Sequence, residues 1–322
     1  MKKLFLGIDT SNYKTSVSVV DNSGDIVYNR SEFLNVKSGE RGLRQSDAFF
    51  QHSNALPDFI YEAFDTVAAG DIAAVGVSAT PRRIENSYMP CFLAGINAAK
   101  EISAALSLEL YSFSHQEGHA AAVLEKENTD RCIFCHFSGG TSEILLCNKD
   151  DAGYSMEIIG GTRDISIGQL LDRTGVAMGF QFPSGKFLDI IASEYESDEC
   201  VLPKIKYADG YFNLSGIETK LMRLVDSYDE EKIKPVISEL FDKIAELVFR
   251  NLTELSAAYK VDTVWIAGGV GASTSIRSRI TKLIKDYKNS NYLPDFKFGE
   301  PELCGDNAVG TALLCRRIYE NE

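Results

Sequence analysis

Leu4-Phe5-Leu6-Gly7-Ile8-Asp9-Thr10-Ser11-Asn12-Tyr13-Lys14-Thr15-Ser16-Val17-Ser18-Val19-Val20 decides how the chain folds. Residues 4–9 are apolar and rich in β-formers, 10–14 form a hydroxyl-rich turn, and 15–20 alternate polar with apolar, as a strand buried on one face does. Asp21-Asn22-Ser23-Gly24 turns the chain again, and Ile26-Val27-Tyr28 resumes a strand. The order returns later: a strand over 132–137, the turn Ser138-Gly139-Gly140-Thr141, a strand over 142–147, a polar turn over 148–153 and a strand over 155–159. Each triplet is followed by alternating helix and strand. In the first half the pattern predicts a helix over 46–64, a strand over 73–77, a helix over 91–106, a strand over 108–113 and a helix over 119–126. The second half predicts a helix over 232–259, a strand over 263–267, a helix over 276–288, a strand over 296–298 and a helix over 306–319. Two βββαβαβα units imply a duplicated α/β architecture, with halves at 1–129 and 130–322 and an unmatched insertion at about 183–229.

The most informative chemistry lies where the first half ends. Two of only four histidines stand four residues apart in His115-Gln116-Glu117-Gly118-His119, between the last strand and the last helix. On a helix such residues are neighbours with β-carbons about 6 Å apart, which suits two imidazoles sharing one metal ion. The plain alternative is two unconnected polar residues near a helix start. The duplication gives the pair a mate, since Asp306 in Cys304-Gly305-Asp306-Asn307-Ala308 holds the equivalent place in the second half. Two neutral imidazoles and one carboxylate form a three-ligand set with open positions, as catalytic metal sites have. Asp306 alone also fits a helix N-cap. A helix N-terminus disfavours a cation by a few tenths of a kcal/mol or more, which coordination energies of about 10 kcal/mol exceed.

Trp265-Ile266-Ala267-Gly268-Gly269-Val270-Gly271-Ala272-Ser273 joins a strand to a helix, where backbone N–H groups receive phosphates. With Ser138-Gly139-Gly140 and Asp9-Thr10-Ser11 it would line one cleft between the halves, and three such turns suggest an acidic or adenylated ligand.

The bulk numbers narrow the classes. With 322 residues, 44% hydrophobic and 25% charged, the chain has the composition of a two-domain soluble protein. The start lacks an apolar stretch long enough for a secretory signal, and no apolar run approaches membrane-spanning length, so a cytoplasmic protein without membrane contact is expected. Seven cysteines without a spacing framework fit reduced thiols. Cys132-Ile133-Phe134-Cys135-His136 matches the haem-attachment pattern, yet it lies within an apolar strand-like run, so buried strand cysteines are the better reading. A net charge of −13 argues against a surface that binds nucleic acid throughout. Local basic sets remain at Lys37/Arg41/Arg44, Arg82/Arg83 and Lys204/Lys206/Lys220/Arg223, each readable as solvated surface.

Taken in order, several motifs resemble the TsaD family, historically called glycoprotease or O-sialoglycoprotein endopeptidase, within the actin/sugar-kinase/Hsp70-like superfamily. They are Gly7-Ile8-Asp9-Thr10-Ser11, the histidine motif, Ser138-Gly139-Gly140, Asp172-Arg173, Phe182-Pro183-Ser184-Gly185, Leu214-Ser215-Gly216, Ala267-Gly268-Gly269-Val270 and Cys304-Gly305-Asp306-Asn307. The resemblance implies duplicated actin/Hsp70-like (RNase H-like) halves with mixed five-stranded sheets and an interdomain cleft. It implies metal-dependent transfer of a threonylcarbamoyl group from threonylcarbamoyl-AMP to N6 of adenosine in tRNA, the activity of an N6-L-threonylcarbamoyladenine synthase. By carry-over His115, His119 and Asp306 are catalytic and hold the metal, Fe(2+) or Zn(2+). His136 stands where some relatives have a tyrosine near the metal and is a candidate fourth ligand. Ser138, Gly139, Gly140, Asp172 and Gly185 would line the adenylate, with Asp172 an acceptor for ribose hydroxyls. Asp9, Thr10, Ser11, His136, Phe137, Gly268, Gly269 and Ser273 complete the expected surface for an adenylate or an ATP-like ligand with Mg(2+). The implied partners are tRNA, a smaller TsaB-like paralogue and a TsaE-like ATPase.

The chain departs from that pattern around the adenylate. Tyr13-Lys14 replaces the usual acidic pair, Thr141 the usual His or Asn, and Gly168-Gln169 the customary Gly-Glu. Ile165 stands at a neighbouring acidic position, Ser273 replaces an Asn, and Thr80-Pro81-Arg82-Arg83 a Gly-Pro-Gly loop. These changes leave open a paralogue of altered specificity or a non-catalytic partner subunit. A metallopeptidase is the less favoured reading, because Glu117 follows His115 by two residues and lies across the helix from the histidine face.

Overall fold

The computed structural model describes residues 3–11, 13–36, 43–127, 129–196, 200–287 and 292–322. Asn12 of the first turn, Lys37 and Arg41 of a basic set, and Lys288 at the expected end of a helix lie outside the described residues.

In the first half β1 (Leu4–Asp9), β2 (Lys14–Asp21) and β3 (Ile26–Phe33) form an antiparallel meander, followed by α1 (Gln45–Thr66), β4 (Ile72–Thr80), α2 (Phe92–Leu106), β5 (Glu109–Ser114) and α3 (His115–Leu124). The sheet order is β3-β2-β1-β4-β5, with β4 and β5 parallel to β1. The second half repeats it. There β6 (Arg131–Phe137), β7 (Ser142–Asp150) and β8 (Gly153–Thr162) precede α4 (Ile167–Ala177) and α5 (Gly185–Glu194). A small hairpin of β9 (Tyr207–Ala208) and β10 (Tyr211–Phe212) comes next, then α6 (Ser215–Ser227) and α7 (Glu230–Tyr259). The half closes with β11 (Thr263–Ala267), α8 (Thr274–Asp286), β12 (Asp295–Phe298), the single turn α9 (Pro301–Cys304) and α10 (Val309–Asn321). Its sheet runs β12-β11-β6-β7-β8-β10-β9. The expected five strands are there in the same order, and the hairpin from the insertion pairs with the edge of β8 to make seven.

Burial follows the pattern from which the fold is read. β1 is buried at every position because helices cover both of its faces, as parallel sheets require. α1 buries Ala48, His52, Leu56, Phe59 and Ala63, one stripe at helical spacing. His52 bonds Thr15 within the first-half core, 2.8 Å from the hydroxyl. α7 lies along the second sheet with its apolar face, Ile237, Leu240, Phe241, Ile244 and Leu252 among it, fully buried.

Two helices join the halves. α10, although last in the chain, packs on β1, β2 and β4 of the first sheet and against α3. Glycines permit the approach: a Cβ on Gly7 would meet the Ala308 carbonyl, and one on Gly76 would lie 2.9 Å from the Thr311 carbonyl oxygen. Where α3 and α10 cross, a Cβ on Gly310 would overlap the carbonyl oxygen of Gly118. Backbone touches backbone there, so the starts of the two helices are brought side by side. No helix among the described residues is long and apolar enough to cross a membrane.

Candidate metal centre and ligand cleft

The carboxyl ends of the parallel strands of both sheets face one cleft, the usual place for a site in such folds. β5 ends at Ser114, whose hydroxyl accepts from the Glu117 N–H at 3.2 Å while Glu117 Oε2 accepts from the Ser114 N–H at 2.9 Å. This reciprocal cap starts the helix at His115, earlier than the expected 119, and puts both histidines on it one turn apart. On the other side the expected helix at 306 begins only at Val309. Asn307, not Asp306, bonds the free Val309 N–H, at 3.0 Å, and its amide holds the carbonyls of Leu303 and Gly305. Asp306 is thereby left clear of capping and turned toward the histidines.

Three donor atoms converge. His115 Nε2 and His119 Nε2 are 2.9 Å apart, and Asp306 Oδ1 lies 3.2 Å from His119 Nε2 and 3.6 Å from His115 Nε2. Ligands of a tetrahedral ion at about 2.0–2.1 Å stand roughly 3.3 Å from one another, so the set has the span of a metal site. Beneath it His115 Nδ1–H donates to Asp9 Oδ2 at 2.9 Å, which leaves Nε2 for the donor set. Asp9 is fixed in turn by the Ser11 hydroxyl and amide and by the Ser78 hydroxyl, which also meets Thr311 Oγ1 at 3.1 Å. His136, on β6, is buried with its ring centroid 4.1 Å from that of His119, and its Nε2 has no hydrogen-bond partner. Its nitrogens fall outside the three-residue converging set. An orphaned imidazole nitrogen beside two others and a carboxylate fits a cation site, and as a purely structural core it would leave a polar group unsatisfied.

Charge in this cluster is coupled. Burial opposes the His115 cation, but the charges of Asp9 and Asp306 outweigh it and push its pKa up to about 10. Burial and the His115 charge hold His119 below its usual value. Burial, then the two neighbouring histidines, hold His136 well below. For Asp306 burial acts upward, yet its hydrogen bonds to His115 and His119 hold the carboxyl well below its ordinary value. A proton competes with an ion for these nitrogens.

The donors open onto a cavity of about 730 Å³ between the halves. Ser11, His115, His136, Ser138, Gly139, Gly140, Asp172, Gly185, Gly269, Ser273 and Asp306 line it. Asp9, Thr10, Phe137 and Gly268 support this wall from behind: Thr10 bonds the Cys91 carbonyl, Phe137 is 1% exposed, and Gly268 (φ +86°) packs on the Phe137 backbone. Gly139, Gly185 and Gly269 leave open room, the nearest atom to an added Cβ being an Asp172 oxygen at 3.8 Å and 3.7 Å for the first two. Asp172 is set by α4, which the Ser166–Gln169 cap starts. Its Oδ1 accepts from the Ser184 and Gly185 amides at 2.8 Å and 3.0 Å, and its other oxygen faces Gly139. Burial raises its pKa and those two amides lower it, for a net rise. The Ser273 hydroxyl is committed to Asp189 and to the start of α8.

Gln116 and Glu143 also line the cavity, and neither was expected there from the sequence. Arg82 forms an ion pair with Glu143 across the cleft, and Gln116 Nε2 donates to the same carboxylate at 2.9 Å. Tyr13 from the first half meets Phe182 from the second, with ring centroids 5.7 Å apart. Arg82 stood in a basic set, but its partner is a contact between halves that no local signal marks.

A sequence profile described as TsaD, tRNA N6-adenosine threonylcarbamoyltransferase, matches residues 31–313. The chain belongs to the TsaD family. A TsaD relative, the tRNA N6-adenosine threonylcarbamoyltransferase of Thermotoga neapolitana, is 24% identical over 320 residues, covering 98% of this chain and 93% of that protein. The enzyme of that name from Staphylococcus haemolyticus is 29% identical over 329 residues, covering 99% and 92%. Among solved structures, HypF of T. kodakarensis superposes with a TM-score of 0.64 at 13% identity over 99% of this chain and 48% of HypF. A ROK family glucokinase from Streptomyces griseus gives 0.53 at 14% identity over 97% and 99%. These two likenesses establish the duplicated actin/Hsp70-like fold that the TsaD motifs imply.

Proposed function

We propose that this chain is a metal-dependent acyltransferase that moves a threonylcarbamoyl group from threonylcarbamoyl-AMP to N6 of adenosine in tRNA. The observation that carries the reading is the convergence of His115, His119 and Asp306 beside a cleft large enough for an adenylate, in a chain of the TsaD family. In the reaction N6 bonds to the carbamoyl carbon, the mixed-anhydride carbon–oxygen bond breaks, AMP leaves with that electron pair, and the amine gives up a proton. His115, His119 and Asp306 would hold an Fe(2+) or Zn(2+) ion, and His136, whose Nε2 has no hydrogen-bond partner, stands beside them as a candidate fourth donor that would have to turn to reach it. Bound there, the ion supplies a Lewis acid for the carbamoyl or phosphate oxygen. Asp9 aims His115, and its own bonds from Ser11 and Ser78 keep it from turning away.

The second half receives the adenylate. Gly139, Gly185 and Gly269 give its backbone close approach, and the outer oxygen of Asp172 accepts from the ribose hydroxyls. Tyr13 and Phe182 meet over the cleft and keep water from the anhydride. The net charge of −13 leaves little positive surface for tRNA, which favours work in a complex with a TsaB-like paralogue and a TsaE-like ATPase.

The peptidase reading is disfavoured by Glu117. Its carboxylate caps Ser114, meets Arg83 at 3.4 Å and is 3% exposed, so it is not placed to activate a water. The non-catalytic reading is disfavoured by the complete donor set.

The test is expression in a bacterium depleted of its own enzyme, with mass spectrometry of its tRNA nucleosides. Threonylcarbamoyladenosine is expected with the wild-type chain and its TsaB-like and TsaE-like partners, and is absent with His119→Ala. Unmodified tRNA with soluble wild-type protein and those partners present would overturn the reading.

A further inference from the structure

The cleft-lining acids all have partners. Asp306 faces the two histidines, Glu143 pairs with Arg82 and Gln116, Asp189 caps α8, and Asp172 takes two amides of α5. One cation near the candidate metal centre is not answered in this way. Lys14 opens β2 opposite Phe33 of β3, and its ammonium lies over the Phe33 ring at 4.5 Å from the centroid. Its Nζ would stand 3.3 Å from a Cβ built on Gly305, the residue next to Asp306, so the missing side chain leaves it room. Among the described residues Lys14 has no carboxylate within 4 Å, and it lines the cavity half-buried. The other lysine of the lining, Lys186, belongs to the opposite wall, with its Nζ over Phe187 at the start of α5. An unpaired, half-buried ammonium favours an anion there.

We propose that Lys14 receives the carboxylate of the transferred acyl group and makes the cleft select a carboxylate-bearing carbamoyl donor. This rests on the reading under Proposed function. In a threonylcarbamoyl group the carboxylate is only a nitrogen and an α-carbon away from the carbamoyl carbon. That carbon has to lie at the His115–His119–Asp306 end of the cleft, where Lys14 stands. The phosphate belongs with the glycine turns of the second half, on the Lys186 side. Tyr13, the preceding residue, lines the cleft between the two ends and packs on Phe182 of the opposite wall. Lys14 thus sets specificity, and no bond forms or breaks on it.

The test is calorimetric binding of two hydrolysis-resistant sulfamoyl adenosines to the purified full chain, one bearing N-carbamoyl-threonine and one the same group without its carboxylate. The wild type is expected to prefer the carboxylate form by about tenfold or more, the scale of one charge-assisted hydrogen bond. Lys14→Met removes the preference while leaving affinity for the decarboxylated analogue within about twofold, and Lys14→Arg retains part of it. Equal wild-type affinities, or a preference that survives Lys14→Met, would overturn the inference and leave the donor reading standing. A wild-type chain that binds neither analogue would overturn both.

Discussion

The two halves share one strand order, β3-β2-β1-β4-β5 against β8-β7-β6-β11-β12, and put different chemistry at the same strand ends. The first half ends its strands in Asp9, Ser78 and the His115/His119 helix, a dense cluster of side-chain donors. The second ends them in Ser138-Gly139-Gly140 and Gly268-Gly269, which leave backbone and empty space. Under the proposed function a duplicated scaffold divides the work: one half would fix an ion, and the other would make room for the molecule it acts on. Asp306 is the exception. It comes from the second half but is delivered to the first because α10 packs on the first sheet.

That division is open to graded disruption. The largest effect is expected from the donors: Asp306→Ala should lower transfer on the order of a thousandfold, the several kcal/mol that a Lewis acid supplies. Tight metal binding should disappear with it, read by metal content after gel filtration. Next comes the crossing that joins the halves. Gly310→Ala should cost about 3 kcal/mol by overpacking against Gly118, read as a lower urea midpoint with unchanged m. Because Gly118 precedes His119, metal affinity should weaken in the same variant.

Asp9→Asn removes the charge that orients His115 and should weaken metal affinity by about 10–100-fold in a chelator competition, with little change in stability of the second half. The pH dependence carries a definite sign. With its pKa near 10, His115 must give up a proton for the ion, so the apparent metal affinity should fall by up to about tenfold for each pH unit below that value. Absence of proton release when metal is titrated in at pH 7 would contradict it. The smallest change is expected in the second half: Ser166→Ala removes the cap of α4 and should cost about 1 kcal/mol in thermal unfolding while weakening adenylate binding through Asp172.

The fold was legible because β-periodicity and turn residues repeat in order over both halves, and because β1 and β6 read as near-continuous apolar runs. The histidine pair was legible because histidine is rare here and stands one helical turn apart. Other features were hidden for physical reasons. β9 and β10 have two residues each, too short for periodicity, and exist as strands because the edge of β8 offers β10 a partner and β10 offers one to β9. Asp306 and Asn307 are both good caps by type, and only the folded chain shows that Asn307, just before the Ala308 N-cap, bonds the Val309 N–H while Asp306 turns to the histidines. The Arg82–Glu143 and Tyr13–Phe182 contacts and the position of Lys14 beside Gly305 depend on how the halves meet, which local sequence does not encode.

The proposed transfer depends on a catalytic ion held by His115 and His119 of the first half and Asp306 of the second. X-ray absorption at the iron and zinc edges of the purified chain tests it most directly. One ion per chain is expected, with at least two imidazole ligands and a carboxylate, and with a lost or altered first coordination shell in His119→Ala. A chain that takes up neither metal, or a spectrum unchanged by His119→Ala, would contradict it.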